Sequence, residues 1–295
     1  MKLVFPSPLV GRLLVSMCLG IALVCHGQTS APTTAAVNID SQKELSGTLY
    51  EVAGQLEKMY GYSISYEAPK QVFPGDLEDQ TLEVRRDLAN FPRGNAPRVL
   101  AVRRNDLSLK VKSARIVESD YVEQVVTEAL ELHNGSAAGV HFRLAKDADG
   151  FHIVPSEVRD SNGMWVAATS FLDTRISLTK QSRTALEAVA AIGKAIAATT
   201  GVQGGLMTGP LNLLASVNGT WEAKDEPARN VLRRVLNDVP LKEGNSLGWV
   251  VGYIPAPETF GLNITYVQAL SAPAAAGAVP QTARGSGGAV AISSQ

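Results

Sequence analysis

Cysteine is almost absent from this 295-residue chain: Cys18 and Cys25 are the only two, both near the start. A disulfide framework or thiolate metal site in the body of the protein is thereby excluded. Aromatic residues make up only 6% of the chain, and the formal net charge is −1. A near-neutral surface lacks the field that draws nucleic acid by counterion release, so no nucleic-acid partner is expected. No apolar run reaches the roughly 20 residues that a membrane-spanning helix needs.

The apolar run that does occur, Leu13 to Cys25, follows Met1-Lys2 and Arg12 and precedes the small and polar stretch His26–Pro32. That is the layout of a cleavable signal peptide, read here as residues 1–27. Cleavage after Gly27 or Ala31 would put a small residue at the cut. A lipoprotein signal would place a small residue before an acylated Cys, and the bulky Val24 before Cys25 argues against it. The mature chain is thus expected in the periplasm of a Gram-negative bacterium or outside the cell. There it would carry 25 Lys+Arg against 28 Asp+Glu and no cysteine. A secreted chain without disulfides must rely on its own core.

Residues 28–36 are Ser/Thr/Ala/Pro-rich and read as a linker. Residues 271–295 are rich in Ala, Gly, Ser and Pro with Arg284 as the one charge, a composition expected to be disordered. Between these ends a pattern occurs twice. A short strand at Ala36–Ile39 leads to a helix over about Ser46–Tyr60, with Leu49, Val52, Leu56 and Met59 on one face. Gly61 follows at its C-cap, and then a strand, Tyr62–Tyr66. Shifted by 140 residues, Ile176–Leu178 leads to a helix over Thr184–Thr200, with Val189, Ile192 and Ile196 on one face, then Gly201.

The second halves of the copies align at an offset of 106. Leu107–Val111 matches Asn212–Val217 as a strand. Each leads to a helix starting near Asp120 or Asp225, read as N-caps, with Val122, Val126, Ala129 and Leu130 matching Ala228, Leu232, Val235 and Leu236. These helices are expected to end at Gly135 and Gly244. Hairpins close each copy: Val140–Leu144 with Phe151–Ile153, and Trp249–Tyr253 with Phe260–Ile264. The fold class is therefore α+β, two small βαβ-βαββ modules, each a sheet with two helices on one face. Module 1 spans 37–155 with an insertion at 75–105, a connector covers 156–174, and module 2 spans 175–270.

This unit resembles the short N-terminal (STN, signalling) domain of secretins and TonB-dependent receptors. The resemblance rests on an amphipathic helix ending in glycine, a strand such as Tyr62-Ser63-Ile64-Ser65-Tyr66-Glu67, and a strand such as Val217-Asn218-Gly219-Thr220 running into Pro227-Ala228-Arg229-Asn230-Val231-Leu232. It implies docking of a periplasmic or outer-membrane protein partner, here without a barrel following.

The chemical motifs have structural readings. Gly244-Asn245-Ser246-Leu247-Gly248 fits G-x-S-x-G, but a helix precedes it, a strand follows, and no His lies beyond it. His141, Arg143 and His152 are expected to share the solvent face of the first hairpin, opposite Phe142, Leu144, Phe151 and Ile153. Asp147-Ala148-Asp149-Gly150 lacks the later ligands of a calcium loop and reads as a hairpin turn. Trp221 and Trp249 read as core, with a stacking platform as the alternative. No catalytic constellation, metal or cofactor is expected, so the chain is not read as an enzyme. The insertion carries Arg85, Arg86, Arg93, Arg98, Arg103 and Arg104, with the acidic run Asp76-Leu77-Glu78-Asp79 nearby. These arginines are candidate contacts for an anionic partner, which gives the alternative function: a binding module for envelope glycans or lipids.

Overall fold

The computed structural model describes residues 41–85, 90–91, 97–114, 116–136, 139–148 and 150–270. The signal peptide, linker, Ala36–Ile39 strand and C-terminal tail read from the sequence lie outside them. In chain order the first half comprises β1 (Gln42–Thr48), α1 (Leu49–Tyr60), β2 (Ile64–Glu67), β3 (Leu77–Asp79), α2 (Thr81–Val84), β4 (Leu100–Val102), β5 (Asp106–Lys112), α3 (Ser119–Asn134), β6 (Val140–Asp147) and β7 (Gly150–Arg159). After β8 (Trp165–Ala167), the second half comprises β9 (Arg175–Thr184), α4 (Ala185–Thr200), β10 (Gln203–Thr208), α5 (Leu211–Ser216), β11 (Asn218–Pro227), α6 (Ala228–Asn237), β12 (Ser246–Pro255) and β13 (Glu258–Val267). The fold is mixed α+β.

Local chemistry sets the helix limits. Thr48 and Thr184 each cap a helix through a capping box with Glu51 and Glu187, so α1 and α4 begin just after those threonines. Both helices stop at a glycine in the left-handed region, Gly61 at φ 69° and Gly201 at φ 73°. Their apolar stripes are buried: Leu49, Val52 and Leu56 on α1, and Val189, Ile192 and Ile196 on α4.

The two halves repeat one pairing scheme. In each, an antiparallel ribbon (β1 with β5, β9 with β11) accompanies a three-stranded sheet. That sheet is a hairpin (β6–β7, β12–β13) whose last strand pairs in parallel with the strand after the first helix (β2 or β10). The two triplets join through a parallel contact of β12 with β2, giving the order β10-β13-β12-β2-β7-β6. The joint is short, Val250 opposite Tyr66 and Val251 opposite Glu67.

Register places the helices on opposite faces of this shared sheet. Ile64, Phe151 and Ile153 point to a core with α1 and α3. Trp249, Val251, Phe260 and Leu262 point to a core with α4 and α6. Because side chains alternate along a strand, Val250 shares a face with Tyr66, and that face of β12 and β13 carries no helix of its own half. The insertion folds over it instead, as the antiparallel pair β3–β4.

Several expectations need correction. Residues 212–217 form no strand: Leu211–Ser216 is the short helix α5, and the partner of β9 is the polar, alternating β11. Glu118 and Pro227, not Asp120 and Asp225, sit at the N-caps of α3 and α6. Asp225 lies within β11 at φ 47°, its carboxylate on Arg175 Nε at 3.0 Å. Helix α6 ends at Asn237, well before Gly244, which turns the chain into β12 at φ 78°. His152 does not reach solvent: it is 2% exposed, because the second half packs Trp249 onto it. Trp221 and Trp249 are core residues, at 5% and 3% exposure.

Candidate functional sites: a lined cavity, a buried polar joint and two sheet edges

A cavity of about 480 Å³ lies where the insertion meets the open sheet face. Its walls come from Thr48 and the first residues of α1 (to Glu51), from Gln71, and from the end of β4 and the residues after it (Val102–Asn105). Its floor includes Tyr66, Val250 and Gly252. A side chain added at Gly252 would meet nothing within 4 Å, so the floor there is open space. Tyr66 packs at a tilt between Phe142 (centroids 5.1 Å apart) and Tyr50 (5.8 Å). Burial pushes the Tyr66 phenol pKa well above its ordinary value, so the ring stays neutral.

Charges around the cavity are mostly spoken for. Arg104 donates to Asp106 at 2.7 Å and to Glu51 at 2.8 Å. The Thr48 backbone N–H also donates to Glu51, the main reason that its carboxyl pKa is lowered. Gln80 Nε2 donates to Glu78 at 2.6 Å. His133, also on the wall, faces the Val140 carbonyl at 3.2 Å, and burial lowers its pKa to about 4. It is therefore a neutral imidazole at physiological pH. The exception is Gln71: it is 4% exposed, and its Oε1 has no hydrogen-bond partner.

The six candidate arginines separate. Arg98 donates to Asp79 at 2.9 Å, while bonds from Thr81 and then Arg98 bring the Asp79 pKa down to about 2. Arg85 lies over the Phe91 ring at 5.3 Å. Arg103 and Arg104 line the cavity. Arg86 and Arg93 lie outside the described residues. The four described arginines do not form one patch, and nothing local in the sequence shows that two of them line a cavity with Gln71 and Tyr66.

On the other face, at the joint of the halves, is a buried polar cluster that sequence reasoning missed. Glu67 is 0% exposed and accepts from Arg229 Nε at 3.0 Å, from Arg229 Nη2, and from Trp249 Nε1 at 2.9 Å. Arg229 also donates to Asp173 at 2.6 Å. Burial disfavours the guanidinium charge, but Glu67 and Asp173 outweigh it and hold its pKa above the ordinary value. Beside this, Ser65 Oγ lies 2.7 Å from His152 Nδ1, and His152 Nε2 lies 3.0 Å from Asp147, which also pairs with Arg233. A spatial chain of contacts from Ser to His to Asp suggests nucleophilic catalysis. Here Ser65 is 1% exposed on a central strand, so substrate has no path to its hydroxyl in this conformation. The physical role on view is cross-linking: Glu67 binds Arg229 and Trp249, Asp147 binds Arg233, and His152, held by Ser65, stacks on Trp249.

The edges of the long sheet are unlike. On β6, Asn134 at the end of α3 accepts from the Phe142 N–H at 2.9 Å and donates to its carbonyl at 2.8 Å. With His133 on the Val140 carbonyl, the first part of this edge is capped by side chains. On β10 no described backbone group bonds to anything beyond β13. This strand contains Gly204 and Gly205, and Met207 and the following Leu211 are about half exposed. Comparison of the chain with protein families, curated proteins and solved structures finds no match. Among the described residues no helix is long and apolar enough to cross a membrane.

Proposed function

We propose that the chain is a non-enzymatic binding protein of the cell envelope, which accepts an extended segment of a periplasmic or outer-membrane protein along β10. The observation that carries this reading is the contrast between the edges. An unpaired strand offers a row of N–H and C=O groups that a partner strand can extend. Side chains occupy such groups on β6 and leave them free on β10. Met207 and Leu211 beside the edge would add apolar contact to the backbone ladder. The signal-like N-terminus and the resemblance to secretin and receptor docking modules support a place outside the cytoplasm near such machines. The alternative, glycan or lipid contact through the arginine-rich insertion as a surface patch, has less support, because Arg98 and Arg104 are held by acidic neighbours.

The test is a pull-down from cross-linked cell envelopes with tagged mature protein, read by mass spectrometry. Recovery of a secretin, a TonB-dependent receptor or one of their periplasmic partners is the expected result. Gln203→Lys/Met207→Lys, which places charge along β10, should abolish it, while Arg143→Glu on the capped edge should not. Recovery of glycan or lipid alone, or capture unchanged by the β10 substitutions, would sink the reading.

A further inference from the structure

We infer that the cavity beneath the insertion binds a short saccharide. The inference does not depend on the β10 edge, which lies elsewhere on the sheet. It starts from Gln71, whose amide is buried on the cavity wall with an acceptor left unpaired. Leaving such a group without a partner costs about 1–3 kcal/mol, and native proteins rarely leave one without a reason. Tyr66 brings a hydroxyl-bearing ring to the same cavity.

The kind of ligand follows from which groups are free. An apolar molecule would leave Gln71 Oε1 unpaired. An ammonium would need a free carboxylate, but Glu51 is held by Thr48 and Arg104, and Glu78 accepts from Gln80. A phosphate would need several free cations. Arg104 is shared by two carboxylates, which leaves Arg103, an exposed residue at the wall, as the one free cation of the lining among the described residues. A ring bearing several hydroxyls meets every condition. Each hydroxyl both donates and accepts, so one can donate to Gln71 Oε1 while others bond Tyr66 and Arg103. Its C–H face can lie on Tyr50, half exposed and tilted 53° to Tyr66, and on Val250. The space above Gly252 admits it, and about 480 Å³ is within the usual range of ligand pockets.

The test is a two-dimensional amide NMR titration of the mature chain with maltose, cellobiose and chitobiose. At least one should shift the signals of residues 66, 71, 103 and 250–252 in a saturable way. Gly252→Leu fills the open floor and should abolish those shifts at unchanged melting temperature. Gln71→Leu should weaken binding about tenfold, the worth of one hydrogen bond. It should not lower the melting temperature, because it removes an unpaired buried acceptor. A residue with a merely structural role would lose stability when changed. The inference is overturned by absence of shifts with all three sugars, by shifts that survive Gly252→Leu, or by wild-type affinity in Gln71→Leu. Should Gly252→Leu fail to fold, the Gln71→Leu affinity decides.

Discussion

Replacing Arg229 by Met tests how the two halves are held together. The Arg229 side chain is 17% exposed, and the Glu67 carboxylate beneath it is 0% exposed. The substitution keeps much of the aliphatic volume but removes the guanidinium, leaving Glu67 buried with only Trp249 Nε1–H as a donor. Breaking a buried ion pair from one side costs about 3–5 kcal/mol, because the remaining charge is uncompensated. Loss of the Asp173 contact adds little, since that carboxylate is 37% exposed. At about 2–4 °C per kcal/mol for a chain of this size, the melting temperature should fall by roughly 10 °C. The double variant Glu67→Gln/Arg229→Met removes the stranded charge and keeps an acceptor for Trp249, so it should regain most of the loss. Circular dichroism during thermal and urea unfolding at pH 7 measures both. Because the sheet runs through both halves, the wild type should melt in one transition, and Arg229→Met should begin to divide it in two. A single variant within about 1 kcal/mol of wild type, or a double variant no better than the single, would refute the reasoning.

Acid should weaken the protein through His133. Its folded pKa of about 4 lies below the ordinary imidazole value, so the unfolded chain takes the proton first and stability falls as pH drops from about 6.5 to 4. The loss is about 3 kcal/mol; His133→Gln, which can still donate toward Val140, should lack this component in urea titrations at pH 7, 5.5 and 4.5. Gly201→Ala should cost only about 1 kcal/mol, the price of a left-handed Ala, as its Cβ would meet nothing within 4 Å. Gly61→Ala should cost more, because its Cβ would come within 2.9 Å of the Leu270 backbone nitrogen; thermal melts compare the two. Asn134→Ala should expose the Phe142 backbone groups on β6. Light scattering should then show concentration-dependent association that wild type lacks, and an unchanged mass would remove Asn134 from this role.

The parts of the fold legible in the sequence were those set by near neighbours. Leu49, Val52 and Leu56 recur at helical spacing, Gly61 and Gly201 follow their helices, and the two hairpins alternate across turns of two residues or so. Errors arose where local pattern and tertiary context diverge. Residues Asn212–Val217 read as a strand, yet of α5 only Leu214 is buried, and Leu211–Ser216 form one short helix. Of strand β11, NGTWEAKDEP, the family resemblance marks only the start, Val217–Thr220; the rest hides its pattern because only Trp221 and Ala223 are buried. His152 was placed outside because Phe151 and Ile153 fill one face, and nothing nearby in sequence announces that Trp249 covers the other. The cavity was illegible for the same reason: residues 71, 103 and 252 come together only once β2 and β12 have paired.

That pairing also bears on what the free edge can accept. The two triplets run head to tail, each ordered as post-helix strand, final strand, first hairpin strand. Strand β2 is joined on its outer side by β12, in parallel, and the next residue extends the contact as Ala68 N–H donates to the Val251 carbonyl at 2.9 Å. Strand β10 holds the same position in its own half, and its outer side is empty. The chain thus already contains one instance of strand addition at this position of the repeat. A second copy offering β6 would extend the sheet head to tail, a contact whose symmetry does not close on itself and so risks open-ended assembly. Asn134 and His133 cover β6 at the residues where such pairing would begin, and Arg143 and Lys146 place charge along the rest. Capping one edge while leaving the other bare is wasteful if neither is used. It is the arrangement expected if addition of the chain to itself must be prevented while addition of a strand from a different protein is kept possible.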